Sequence, residues 1–262
     1  MKFGIVPTAF TPVRQDPSEQ SEQITQLLFG ELCEIHNDKK NWYYIRSAYD
    51  NYEGWIDQKM ISLLDETTYK NLLQSKPFII SEPFSSVTRD GSMSHLIVPS
   101  GSAAYQFQEK EKSFTNGTNK YRFEQEPSPV DASSLTTGIE ETAETFINTP
   151  YLWGGKSTFG CDCSGLVQTV FKIYGMVLPR DTAEQVNSGE TLPFLNDAKS
   201  GDLAFFDNEE GEIIHVGILL DKKRIIHASG QVRLDAIDQE GIYNKELGRY
   251  THKLRTIKKI VN

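Results

Sequence analysis

Residues 159–175 read Phe159-Gly160-Cys161-Asp162-Cys163-Ser164-Gly165-Leu166-Val167-Gln168-Thr169-Val170-Phe171-Lys172-Ile173-Tyr174-Gly175. Beyond Gly165 the apolar residues Leu166, Val167, Val170, Phe171 and Tyr174 recur at helical spacing, which predicts a helix laid on a core. Gly175 stands where a chain turns left-handed to leave a helix. Cys163 therefore falls in or near the first turn, among backbone N–H groups with no helical partner and at the positive end of the dipole. Both favour thiolate over thiol, and thiolate is the nucleophile. Gly160 and Gly165 let other backbone come close. The plain alternative is a structural cysteine. Polar Asp162 and Ser164 on either side of the thiol, and two histidines downstream, favour chemistry.

Those histidines lie in strand-like runs, Ile213-Ile214-His215-Val216-Gly217-Ile218-Leu219 and Arg224-Ile225-Ile226-His227-Ala228, joined by Asp221-Lys222-Lys223. A hairpin turn centred on Asp221 would set His215 directly opposite His227, with Cβ atoms about 5 Å apart. One imidazole would act on the thiol and the other would orient it, as a cysteine nucleophile requires. The same residues admit two other readings, a pair of structural histidines or a metal site completed by Cys161 or Cys163. Against the metal, the two cysteines straddle one residue, not the two to four usual for zinc. No metal and no cofactor is expected. A Cys161–Cys163 disulfide would be strained, so Cys161 reads as a wall residue of the loop.

Composition bounds the setting. With 262 residues, 38% hydrophobic and 24% charged, the chain has ample material for a core without disulfides, spread over two or three small domains. A net charge of -9 argues against nucleic acid or an anionic membrane as partner. No apolar run approaches the ~18 residues of a membrane helix. Met1-Lys2-Phe3-Gly4-Ile5-Val6-Pro7-Thr8 is too short and too polar afterwards for a secretory signal. Three cysteines, two of them one residue apart, make no disulfide framework, and a cytoplasmic setting is expected.

Upstream, short strand-like runs alternate with turns. Gly30 to His36, Trp42 to Ile45 and Tyr52 to Ile56 recur at roughly ten-residue spacing and predict a small β-barrel over residues 1–75, with Cys33 pointing inward. Leu96 to Val98, Ala103 to Phe107 and the hairpin turn Asn116-Gly117 predict a second over 76–133. The Pro- and Ser-rich stretch 126–134 reads as a linker. The third segment, 134–262, opens with a capping box, Thr137 and Glu140, ahead of Ile139, Ala143, Phe146 and Ile147 at helical spacing. Helices followed by strands give an α+β domain.

Asp162-Cys163-Ser164-Gly165-Leu166, His215-Val216-Gly217-Ile218 and His227 resemble the motifs of the NlpC/P60 cysteine peptidases. So do Pro150-Tyr151-Leu152-Trp153-Gly154-Gly155, Leu178-Pro179-Arg180-Asp181 and Gly201-Asp202-Leu203. The resemblance spans roughly 135 to 260 and implies a papain-like α+β catalytic domain. It also implies that Cys163 is the nucleophile, His215 the base and His227 the polar third member. Tyr151 would sit beside the thiol, and the Cys163 N–H would help hold the oxyanion. The two upstream domains look like bacterial SH3-type barrels, and Ser21 to Gln26, Phe29-Gly30-Glu31 and Tyr52 to Ile56 are similar to the first barrel of one subgroup, the gamma-D-glutamyl-L-diamino acid endopeptidases. That subgroup recycles murein tripeptides and tetrapeptides with a free N-terminal L-Ala and releases L-Ala-gamma-D-Glu. A free ammonium needs carboxylates and hydroxyls around it, and the candidates are Asp162, Ser164, Asp181, Thr182, Glu22 and Tyr52. The alternatives are an endopeptidase on intact wall, its barrels binding peptidoglycan, and a wall-binding protein without catalysis.

Overall fold

Period-two alternation runs through most of the first 123 residues, and these residues pair as antiparallel strands. The structure, a computed structural model, describes residues 2–130 and 135–260. It divides into two units, Met1–Pro129 with Trp153–Thr158, and Val130–Leu152 with Phe159–Asn262. In the first unit, β1 (Lys2–Ile5), β2 (Phe10–Arg14), β3 (Gln23–Leu28), β4 (Leu32–Lys39), β5 (Trp42–Ser47), β6 (Glu53–Asp57) and β7 (Ser62–Leu64) form one sheet in the order β3-β2-β6-β5-β4-β1-β7. Val13, Leu27, Cys33, Ile35, Ile45 and Ile56 fill its core. Helix α1 (Glu66–Gln74), capped by Asp65, leads to β8 (Phe78–Ile79), β9 (Phe84–Arg89), β10 (His95–Pro99), β11 (Ala103–Ala104), β12 (Ser113–Asn116) and β13 (Asn119–Phe123). These make a four-stranded sheet, β10-β9-β13-β12, and a pair, β11-β8. The strand expected over 103–107 stops at Ala104, and Gln106 adopts a left-handed φ of 50° that no strand continues through.

Phe29, from the first stretch, is buried in the second core against Val87, Val98, Phe114 and Tyr121. The two sheets therefore share a core and fall in one unit. The short segment Trp153–Thr158, with β14 (Lys156–Ser157), belongs to this unit as well. Lys156 is 1% exposed; its Nζ donates to Glu31 Oε1 at 3.2 Å, and its N–H donates to Gln26 Oε1 at 3.1 Å.

The second unit opens with α2 (Leu135–Glu144), followed by β15 (Gly160–Cys161), α3 (Cys163–Ile173), the single turn α4 (Thr182–Gln185) and β16 (Glu190–Leu192). Helix α2 begins two residues before Thr137, so Thr137 lies inside its first turn and does not cap it. Glu140 is engaged elsewhere, accepting from Ser200 Oγ at 2.9 Å. The linker expected over 126–134 ends on residues 131–134, which lie outside the described residues. β17 (Leu203–Asp207), β18 (Ile213–Leu219), β19 (Arg224–Ser229), β20 (Gln231–Ile237), β21 (Gly241–Asn244) and β22 (Arg249–Lys259) pair in sequence, and β22 returns to pair with both β17 and β21. The ring of six is closed. Alternation splits its side chains between two cores. Leu203, Phe205, Val216, Ile218 and Ile226 pack with Leu166, Val167, Val170 and Phe171 of α3. Ala204, Phe206, Leu219, Ile225, Ile242 and Ile257 pack on the other face. Each fully buried aliphatic or phenyl side chain contributes about 1.5–3 kcal/mol. Gly175, at φ 76°, ends α3, with its N–H on the Lys172 carbonyl and the Met176 N–H on that of Phe171.

The start of α3 is fixed by charge. Asp162 is its N-cap and accepts the Gly165 N–H at 2.7 Å. Arg180 clasps the same carboxylate with two nitrogens, Nη1 to Oδ1 at 3.0 Å and Nη2 to Oδ2 at 2.6 Å, and also donates to Ser164 Oγ at 2.7 Å. Asp162 is 6% and Arg180 2% exposed, so the pair stands in a largely dry environment.

The hairpin that carries the histidines differs from expectation. Ile218 pairs with Ile226 and Leu219 with Ile225, a register centred one residue beyond Asp221. Asp221 Oδ1 accepts the N–H groups of both Lys223 and Arg224, which makes Asp221 the first residue of the turn and not its middle. The shift moves each partner by two residues. It leaves His215 and His227 on one face but offset along the strands. His227 lies over Gly217, where an added Cβ would come within 3.0 Å of His227 Cβ and 2.7 Å of Ile225 Cδ1.

Two outcomes follow for stability. Arg180→Met strands the buried Asp162 carboxylate and is expected to cost about 3–5 kcal/mol in urea unfolding; a loss under 1 kcal/mol would show the pair to be dispensable. Gly217→Ala is expected to cost about 1–3 kcal/mol by overpacking and to displace His227, read as lost unfolding free energy together with a shifted His227 imidazole resonance.

Candidate active site

Cys163 is the first residue of α3 and is 7% exposed. The Asp162 cap takes the Gly165 N–H, so the cap does not consume the Cys163 N–H. The thiol meets two partners, Thr182 Oγ1 at 3.7 Å and the backbone N–H of Val216. The ladder between β18 and β19 is confined to Ile218–Ile226 and Leu219–Ile225, so His215 and Val216 lie beyond it, where the two strands are no longer paired. This is how a thiol on a helix reaches the backbone one residue from His215.

His215 and His227 meet although they are not opposite one another. His215 Nε2 lies 2.9 Å from His227 Nδ1, with the rings nearly perpendicular. His227, wholly buried, turns its Nε2 to Asp235 Oδ2 at 3.0 Å. His252 of β22 stacks on His215, with ring centroids 4.2 Å apart, and its Nδ1 lies 2.9 Å from Thr251 Oγ1. Among the described residues, ring nitrogens of His215, His227 and His252 come within 4.8 Å of one another and are the group that could approach a metal ion. Two of these histidines, however, are hydrogen-bonded to each other. Their 2.9 Å separation is shorter than the ~3.3 Å between tetrahedral zinc ligands at bond lengths of 2.0–2.1 Å. The cluster has the form of a proton line.

Electrostatics revises one expectation. The helix start was expected to favour thiolate, but burial and the neighbouring Asp162 carboxylate push the Cys163 thiol up, beyond what Thr182, the Val216 N–H and Arg180 return. Burial, with the imidazoles of His227 and His252, pushes His215 well below its ordinary value. Burial also lowers His227 and outweighs the support of Asp235, and it takes His252 down to about 4. Thiol and imidazole are both neutral at rest. A thiolate–imidazolium pair would have to form as substrate displaces water.

The remaining expected residues are placed as follows. Tyr151, partly exposed, has its hydroxyl pushed up to about 12, chiefly by burial, with Cys163 and Asp162 adding to the rise. Thr182 touches the thiol, and Ser164 lies between Arg180 and Asp162. Asp181 is exposed at the start of α4. Asp162 is a helix cap and ion-pair partner. Glu22 and Tyr52 belong to the first unit. There Glu22 accepts from the Trp153 indole at 2.6 Å, and the half-buried Tyr52 sits in a turn held by Asp50 and Ser47. Asp235 and His252 went unread in the sequence. Alternation in Val232-Arg233-Leu234-Asp235-Ala236-Ile237 sets Val232, Leu234 and Ala236 on one face and Arg233 with Asp235 on the other, so it reads Asp235 as solvent-facing, whereas the structure buries it and exposes Leu234.

Comparison with known proteins bears on the whole chain. Residues 148–251 match the model described as NlpC/P60 family, and residues 13–61 match that described as bacterial dipeptidyl-peptidase Sh3 domain. The chain is 30% identical over 239 residues to a gamma-D-glutamyl-L-lysine dipeptidyl-peptidase of Bacillus subtilis, covering 85% of this chain and 78% of that one. It is 26% identical over 256 residues to dipeptidyl-peptidase 6 of Lysinibacillus sphaericus, covering 88% and 91%. A crystal structure of an NlpC/P60 family protein from Bacillus cereus is similar in fold, with a TM-score of 0.82 over 99% of this chain and 100% of that one at 17% identity. Identity that runs through both the barrels and the helix-borne cysteine, over most of the length of the Bacillus subtilis enzyme, shows that this chain belongs to the NlpC/P60 family of cysteine peptidases.

Proposed function

We propose that the chain hydrolyses the bond between gamma-D-Glu and the diamino acid of murein peptides that carry a free N-terminal L-Ala, releasing L-Ala-gamma-D-Glu in cell-wall peptide recycling in the cytoplasm. The observation that carries the chemistry is the thiol of Cys163 against the Val216 N–H, one residue from a His215 that is itself held by His227. The substrate class rests on the relatives named for gamma-D-glutamyl-L-lysine and for dipeptidyl-peptidase activity. Among the described residues, no helix is long and apolar enough to cross a membrane.

In this reading the Cys163 proton passes to His215 as sulfur attacks the gamma-carbonyl carbon. The oxyanion is met by the Cys163 N–H at the helix start. His215 then gives that proton to the departing amine, the C–N bond breaks, and a thioester remains. Water, deprotonated by His215, opens the thioester and restores the thiol. His215 Nε2 is committed to His227, so Nδ1 serves the thiol. Tyr151, Ser164 and Thr182 line the thiol's surroundings. Asp162 is a helix cap held by Arg180, and in this reading Asp181, exposed at the start of α4, is the acid of this unit that meets the substrate ammonium.

The test compares L-Ala-gamma-D-Glu-diaminopimelate with its N-acetylated form. Expected are cleavage of the free amine, a loss of at least about 100-fold in kcat/KM on acetylation, since an unmatched pocket charge costs several kcal/mol, and no turnover by Cys163→Ala. Equal cleavage of both peptides would redirect the reading to stems of intact wall. Turnover by the alanine variant would remove the thiol mechanism. The acid limb of kcat/KM supplies a second check. With His215 lowered, its neutral form persists as pH falls, so the acid limb should lie below the ordinary imidazole value of about 6.5. An acid limb at or above 6.5 would contradict the neutral resting pair.

A further inference from the structure

The hydrogen bonds that begin at His215 end on Asp235, and the end decides the direction of every proton in the line. Asp235 is 7% exposed and lies two residues past Arg233, the register partner of His227. Its Oδ2 accepts from His227 Nε2 at 3.0 Å and from Arg233 Nε at 2.6 Å, and its Oδ1 accepts from Arg233 Nη2 at 3.1 Å. Arg233 also reaches Glu246 at 3.2 Å. A carboxylate held by a guanidinium has no proton to give, so His227 must carry its proton on Nε2. A neutral imidazole has one N–H, so His227 Nδ1 is a lone pair. His215 Nε2, 2.9 Å away, must then be the donor, and His215 Nδ1 is left as a lone pair. That is the one neutral tautomer able to take a proton from a thiol through Nδ1.

We propose that Asp235 is a positioning residue that sets the tautomers of two imidazoles in series and thereby makes His215 a base. The proposal rests on the reading of Cys163 as nucleophile and His215 as base. Without the carboxylate the line can run the other way, with His227 donating from Nδ1 and His215 presenting an N–H to the thiol. Asp235→Asn opens that reversal, because its amide nitrogen, turned toward His227, can donate to Nε2. Where an amide replaces a carboxylate in direct contact with the base, the wrong tautomer costs about 10⁴ in kcat. One imidazole further out, a loss on the order of 10²–10³ is expected, with KM within a few-fold.

The experiment uses the full chain labelled with ¹⁵N-histidine, as wild type and as Asp235→Asn, Asp235→Glu and Asp235→Ala. Nitrogen shifts of His215 and His227 are read at neutral pH, beside kcat and KM on the free tripeptide and the rate at which iodoacetamide alkylates Cys163. The expected result is Nε2–H on both rings in the wild type and Nδ1–H on both in Asp235→Asn. Asp235→Asn should also show the kcat loss and slowed alkylation, and Asp235→Glu should recover part of each. A wild-type His215 protonated on Nδ1 overturns the proposal, as does an Asp235→Asn variant with kcat within threefold of wild type. If the variants do not fold, the wild-type spectrum alone decides. If the wild type cleaves no gamma-glutamyl peptide, the substrate reading fails, while the spectra and alkylation rates still judge the tautomer line.

Discussion

The second unit turns on an ion pair that is almost wholly buried. Asp162 and Arg180 together carry no net charge, yet each would be costly alone in that environment. Their bidentate contact does three things at once. It caps α3 through the free lone pairs of Asp162, it ties the Leu178–Arg180 turn to the helix start, and it places a hydroxyl, Ser164 Oγ, one residue from the thiol. The position of Cys163 is therefore not a loop property. It is inherited from a helix whose first turn is pinned by charge and whose remaining turns are pinned by Leu166, Val170 and Phe171 in the core. The helix end whose N–H groups the proposed mechanism turns toward an oxyanion is also the end that this pair holds.

The same dryness shapes the acid–base chemistry. A helix start and a cationic neighbour are expected to make a thiol acidic, and both are present. Burial outweighs them for Cys163, and burial with two adjacent imidazoles keeps His215 unprotonated. The resting site stores no separated charge. In the proposed mechanism, charge separation falls in the chemical step, where the Val216 N–H and the helix start would meet it.

Much of this was legible in residue order. The helix after Cys163, its glycine stop, the two strands that carry the histidines and the inward Cys33 all follow from periodicity, because each is decided by neighbours within a few residues. What the order concealed was decided by side chains acting on backbone, or across strands. Asp221 was read as the apex of a turn and instead opens it by accepting two N–H groups, which slides the hairpin by two residues. His215 and His227 still meet, because their rings span the offset where the strands part. Thr137 was read as a cap and lies inside the helix, since Glu140 answers Ser200. Asp235 lies on another strand from the histidine it holds, where no spacing rule ties the two together. Alternation along that strand reads it as solvent-facing beside Arg233, and the structure buries it.

The six residues Trp153–Thr158 are encoded within the second unit but belong to the first. Glu31 is buried early in the sequence, and its lysine, Lys156, lies 125 positions later. On a ribosome, where domains form as they emerge, the first unit would wait with Glu31 held by the Leu28 N–H but without its lysine until the chain had been made through Thr158. The two units thus cannot mature one after the other as separate beads. Nor can either be lifted out by a single cut or exchanged as a module, because the boundary between them is crossed by the chain more than once.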